Sequence, residues 1–167
     1  MSRAFVKEDD GIPEEPVKRQ PSGKPNYVTP AGLDLLKARA AELAWLRAGL
    51  MSKKHPDDPR SLELRQAELD LEYYGTQIKR AILVDNRGLA AEDARFGAVV
   101  VVREPDGTVK EYKIVGEDEA DAAVGKLNWG SPLAGALLGG GPGAQVALPR
   151  KTGAVRLGII SVRYPKE

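Results

Sequence analysis

Between Thr29 and Asp85 the apolar residues recur at alternating spacings of three and four, in two stretches parted by a short polar break. Leu33, Leu36, Ala40, Leu43, Leu46 and Leu50 form one stripe, and Leu64, Ala67, Leu71, Tyr74, Ile78 and Ala81 the other. Such spacing puts each set on one face of a helix. Two stripes joined by the turn Lys53-Lys54-His55-Pro56-Asp57-Asp58-Pro59 can bury each other as an antiparallel hairpin. Its ends are well marked. Thr29-Pro30 supplies an N-cap and a proline at the first helical position, and Asp58-Pro59 repeats the pair. Pro56 stops the first helix. Gly75, inside the second helix, costs about 1 kcal/mol relative to alanine, and a close helix crossing would explain it. The tip of the hairpin is then the point most exposed to a partner.

The rest of the composition narrows the function. The formal net charge of +1 argues against holding nucleic acid by bulk electrostatics, and no strong direct nucleic-acid binding is expected. The absence of cysteine excludes a disulfide framework and a thiolate metal site. The single histidine, His55, excludes a histidine metal cluster and, elsewhere in the chain, a Ser-His-Asp site. No apolar run approaches the ~20 residues of a membrane span, and the N-terminus shows no apolar signal core. A cytoplasmic protein is expected.

Residues 1–26 carry Pro13, Pro16, Pro21 and Pro25 with mixed charge and little to bury. That composition describes a flexible arm. The alternative is an arm that docks through Ala4-Phe5-Val6. The hairpin follows over 27–85, then a polar connector over 86–95 with Gly88 as a plausible hinge, then a β-rich domain over 96–167. Val99-Val100-Val101-Val102 is a β-branched run, Pro105-Asp106-Gly107 a turn, and Val109 to Val115 an alternating strand. Leu127-Asn128-Trp129 is a short extended piece. Ser131-Pro132 caps a short helix ending near Leu138. Ala144 to Leu148 and Val155 to Tyr164 make two further strands. Strands with one packed helix give an α+β domain.

Three motifs invite chemistry. The glycine run at 139–143 lacks the Gly-Lys-Ser/Thr of a phosphate loop and precedes a strand, so it is expected to end the helix. Glu117-Asp118-Glu119 lacks a calcium-loop pattern and is expected to be a solvated loop rather than a metal cluster. Asp57 and Asp58 stand at the hairpin tip. One of them caps the second helix on the structural reading. On the chemical reading the pair is offered to a magnesium ion in a partner's active site, with Lys53, Lys54 and Arg60 partly neutralising it.

The C-terminal half resembles the Gre transcription factors. Phe96-Gly97-Ala98, the Asp106-Gly107 turn, Ile114-Val115-Gly116-Glu117-Asp118-Glu119-Ala120-Asp121 and Ser131-Pro132-Leu133-Ala134 with Leu137-Leu138 carry the likeness. The opening Tyr27-Val28-Thr29-Pro30-Ala31-Gly32-Leu33 looks like the start of the Gre coiled coil. The resemblance covers about Tyr27 to Tyr164. It implies a helical hairpin followed by an FKBP-like domain, and binding to bacterial RNA polymerase at the rim of the secondary channel. It places Trp129, Ser131 and Pro132 at the polymerase contact. An exposed Trp129 would anchor that contact, while a buried one would fill the core.

The departures from the family bear on mechanism. Cleavage-stimulating Gre factors carry an acidic tip motif whose carboxylates help hold a second magnesium in the polymerase, and His55-Pro56-Asp57-Asp58-Pro59 is not that motif. The hairpin is shorter than the family's by about one heptad per helix, or about 10 Å of reach. It resembles in this respect the Rnk proteins. The expected function is therefore polymerase regulation by channel occupancy, with no catalysis and no cofactor of its own. The alternative is stimulation of the polymerase's RNA hydrolysis by Asp57 and Asp58 through a shared Mg2+. An independent peptidyl-prolyl isomerase ranks last, because its only support is the fold.

Overall fold

The computed structural model describes residues 15–53 and 60–166. Ala4-Phe5-Val6 and the tip residues Asp57 and Asp58 lie outside them. The protein is α+β, a helical hairpin followed by a curled sheet. Strand β1 (Asn26–Val28) leads into helix α1 (Pro30–Met51), and helix α2 (Arg60–Arg80) returns into strand β2 (Ala81–Leu83). Thr29 caps α1 as its sequence announces, its hydroxyl accepting from the Gly32 N–H at 3.0 Å. The two helices pack along their length, with the Arg47 guanidinium donating to Glu68 at 3.3 Å across the pair. Leu36 and Ala67 are buried in the hairpin.

Two details of the hairpin differ from the sequence expectation. Helix α2 stops at Arg80, so Ala81 belongs to a strand. There β1 and β2 pair in parallel, Asn26 opposite Ala81 and Val28 opposite Leu83, and tie the two helix roots together. Nor does Gly75 mark a close crossing. A Cβ built there meets nothing within 4 Å.

The second body is a five-stranded sheet in the order β5-β4-β3-β7-β6. It contains β3 (Val99–Arg103), β4 (Val109–Val115), β5 (Lys126–Asn128), β6 (Gln145–Arg150) and β7 (Gly153–Arg163). All neighbours are antiparallel except β4 and β5. Helix α3 (Pro132–Leu137) packs on it, capped by Ser131. The core joins Ala98, Val100, Val102, Ile114, Ala134, Leu137, Ile159 and Tyr164. In the β3 run Val99, Val100 and Val102 are all buried, as a β-branched run without polar interruption requires. Gly139 ends α3 at φ +83°, a left-handed turn that glycine takes without a Cβ penalty. The glycine loop's amides are engaged by the fold. Gly139 donates to the Ala94 carbonyl and Gly143 to that of Ile159, each at 2.8 Å.

The connector over 86–95 is fastened to the sheet domain. The Gly88 N–H donates to the Tyr164 carbonyl at 3.0 Å, and the Arg95 N–H to the Tyr164 hydroxyl at 2.9 Å. Asn86 donates to the Phe96 carbonyl at 2.9 Å, so the position expected to hinge is bonded on both sides. The arm departs further from expectation. Residues 15–25 lie along α2, held through Val17, Arg19 and Lys24.

Candidate functional site

The loop after β5 is built by local hydrogen bonds. The Trp129 N–H donates to the Val115 carbonyl at 2.9 Å, prolonging the pairing of β4 and β5 by one residue. The Asn128 side chain accepts from the Gly130 N–H at 3.0 Å, an Asx turn. The Ser131 N–H then donates to the Asn128 carbonyl at 2.9 Å, and its hydroxyl accepts from the Ala134 N–H at 3.3 Å to start α3. Trp129, Ser131 and Pro132 are thus brought together on one short rigid turn. Pro132 is exposed, and Ser131 and Trp129 are half-buried.

Trp129 falls between its two expected roles. Its ring meets Tyr27 edge-on at 5.0 Å, and Tyr27 in turn lies 6.1 Å from Phe96. Tyr27 belongs to β1, so the aromatic contact links the loop to the hairpin root. An edge-to-face aromatic pair favours a fixed geometry, because the ring quadrupoles select it. The Ser131 hydroxyl of the turn is engaged in capping α3. The turn can serve as a docking surface.

The acidic run expected to be solvated is instead the joint between hairpin and sheet domain. The side chains of Asp118 and Glu119 are 8% and 5% exposed. The α2 residue Gln77 is fully buried, and its amide donates to Glu117 at 2.5 Å and to Asp118 at 2.7 Å. Its oxygen accepts from Arg80 at 3.0 Å. The Tyr73 hydroxyl donates to the second Asp118 oxygen at 2.7 Å. Burial, and then this bond to an anion, push the Tyr73 phenol well above the usual tyrosine range. Glu119 accepts from the Thr29 hydroxyl, and its other oxygen has only the Lys126 ammonium, at 3.9 Å. The carboxylate lies against the first turn of α1, where a helix dipole favours negative charge.

Two glycines make this approach possible. A Cβ on Gly32 would stand 2.7 Å from the Glu119 carboxylate, and one on Gly116 would strike the Tyr27 carbonyl. Both glycines stand in the segments that carried the family likeness. Gln77, Tyr73 and Thr29 were not foreseen as joint residues. The visible signal was only a glutamine four residues after a tyrosine, which places both on one face of the helix.

The family model of the transcription elongation factor GreA/GreB C-terminal domain matches residues 89–164. The transcription elongation factor GreB of Neisseria meningitidis serogroup B is 33% identical over 156 residues, covering 84% of this chain and 95% of that protein. The chain belongs to the GreA/GreB family. The GreA of Paracoccus denitrificans is 32% identical over 150 residues, covering 82% of this Gre factor and 96% of its relative. Among solved structures, that of GreA factor homolog 1 from Thermus thermophilus aligns at 21% identity with a TM-score of 0.39, covering 84% of this chain and 99% of that one. The Gre C-terminal match spans the turn at 128–132 and the acidic run of the joint, and the GreB match reaches well beyond it. Among the described residues no helix of this Gre factor is long and apolar enough to cross a membrane.

Proposed function

We propose that this Gre factor binds bacterial RNA polymerase at the rim of the secondary channel through the turn at Trp129, Ser131 and Pro132, and modulates elongation by occupying the channel with a short hairpin. The observation that carries the reading is hairpin length. Helices α1 and α2 have 22 and 21 residues, about 33 Å and 32 Å at 1.5 Å per residue. A metal–carboxylate bond is only ~2.0–2.6 Å long. A shortfall of even a few ångströms at the tip therefore leaves a polymerase-bound magnesium uncoordinated by Asp57 and Asp58. Occupancy needs no such precision. It acts by excluding other channel-binding factors or by altering access of nucleotides and backtracked RNA. Family membership supports the partner, and the rigid turn supports the docking site.

The test is transcript cleavage on backtracked elongation complexes, with binding to core polymerase followed in parallel. The expected outcome is binding without faster cleavage, and unchanged behaviour when Asp57 and Asp58 are both replaced by Asn. Faster cleavage that the double replacement abolishes would establish the metal-holding role instead. Pro132→Glu keeps a residue suited to the first turn of α3, since acidic side chains are favoured there. It is expected to weaken polymerase binding at least about tenfold, in the manner of a lost interface anchor, while leaving the fold intact by circular dichroism. Undiminished binding would remove this turn from the interface.

A further inference from the structure

The arm touches both bodies of the molecule. At its far end the Val17 N–H donates to the Gln66 side chain at 2.8 Å, and the Gln66 amide returns a bond to the Val17 carbonyl at 2.9 Å. That amide also donates to Asp70 at 3.0 Å, which fixes its orientation. In the middle, the Arg19 guanidinium lies 4.2 Å from the centre of the Tyr73 ring and donates to the Tyr74 hydroxyl at 3.0 Å. The same group stands 3.7 Å from Asp118, in the sheet domain. At its near end, Arg80 donates to the Lys24 carbonyl at 2.7 Å while the Lys24 ammonium donates to the Gly130 carbonyl at 3.3 Å. A Cβ on Gly130 would come within 3.0 Å of that ammonium.

We propose that residues 15–25 form a strap that fixes the direction of the hairpin relative to the sheet domain and couples it to the turn at 128–132, with Arg19 and Lys24 as the positioning residues. Arg19 is bound from three sides by groups on different bodies, two aromatic faces from α2 and one carboxylate from the joint. A cation held this way resists sliding, because moving α2 away from Asp118 breaks one of the contacts wherever the arm goes. Lys24 does the same at the turn, one bond from its backbone to α2 and one from its side chain to Gly130. The prolines serve this role. Pro16, Pro21 and Pro25 restrict the undocked arm, so less conformational freedom is lost when it docks. Arginine's planar group suits the site better than lysine's, since it donates in its plane while presenting a face to an aromatic ring.

The coupling rests on the proposed function only where it calls the 128–132 turn polymerase-facing. The test therefore uses the free full-length protein. The chain has no cysteine, so Ala48→Cys on α1 and Ala154→Cys on β7 can be spin-labelled without removing any native thiol. The intact chain is expected to give one narrow interspin distance distribution. Arg19→Ala with Lys24→Ala is expected to broaden it about twofold or split it, the signature of a second populated orientation. It is also expected to speed amide exchange at 128–131, and Arg19→Lys with native Lys24 to fall between. Distributions of equal width in all three proteins would overturn the strap. Broadening with unchanged exchange at 128–131 would overturn its coupling to the turn. Loss of polymerase binding by the native chain would refute the docking reading and leave the strap standing.

Discussion

The sheet domain and the joint that fastens the hairpin to it are buried by opposite means. The core is apolar throughout, with Val100, Val102, Ile114 and Leu137 fully buried and touching mostly one another. The joint buries Gln77 completely and most of Asp118 and Glu119. Apolar burial is strong but indifferent to direction. A buried polar network gives less net stability and loses much when one partner turns away. The comparison teaches that stability and direction are assigned to different regions. The core supplies the domain's stability, while the joint, together with the proposed strap that crosses it, is suited to fixing where the hairpin points.

This division can be broken most forcefully at the core. Leu137→Ala removes a buried side chain from the face of α3 that rests on the sheet, at an expected cost of about 2–5 kcal/mol. Urea unfolding is expected to show that loss, with the interspin distance between hairpin and sheet unchanged at low denaturant. A shifted hairpin in this variant would mean that core and joint are not separable.

A smaller effect on stability with a larger one on direction is expected at Gln77→Leu. The apolar side chain keeps most of the volume but withdraws both donors from Glu117 and Asp118 and the acceptor from Arg80. Leaving such groups unsatisfied costs about 1–3 kcal/mol. The same unfolding and distance measurements are expected to show modest destabilisation with a clear change in hairpin direction. Destabilisation without reorientation would show that Tyr73 and Thr29 suffice to set the angle.

The same contrast explains what the sequence revealed. Apolar periodicity is local, so the strand through Val99-Val100-Val101-Val102, the strand from Val109 to Val115 and the two helical stripes up to Ile78 were legible. The three candidate contact residues were named from the family likeness alone, whereas the Ser131-Pro132 helix start was legible through capping grammar. The joint was not. Glu119 finds Thr29 across 90 residues and Asp118 finds Gln77 across 41. Nothing within the Glu117-Asp118-Glu119 run records those partners, so composition pointed to solvent. The contacts of residues 15–25 were hidden for a related reason. The prolines and charges of that stretch match a disordered segment, while its docking depends on Gln66, 49 residues from Val17. The strands β1 and β2 were too short, at three residues each, to show alternation.

The smallest expected effect sharpens the comparison by testing a residue that belongs to neither region. Gly75 sits inside α2, four residues from Leu71 on one side and from Lys79 on the other, yet nothing lies within 4 Å of where its Cβ would stand.

 Neither Leu71, which is half-buried, nor Lys79, which is exposed, closes over that space. Alanine there fits without strain and restores helix propensity worth up to about 1 kcal/mol. Gly75→Ala is therefore expected to raise the melting temperature by about 2–4 °C, as a gain of that size does in a domain of roughly this length. A fall in melting temperature would mean that α2 needs the glycine's freedom to seat Tyr73 and Gln77 in the joint. A rise accompanied by weaker polymerase binding would carry more information. The free protein gives no packing reason for a glycine at this position, so a small residue would then be required by the partner, where its backbone comes close to α2.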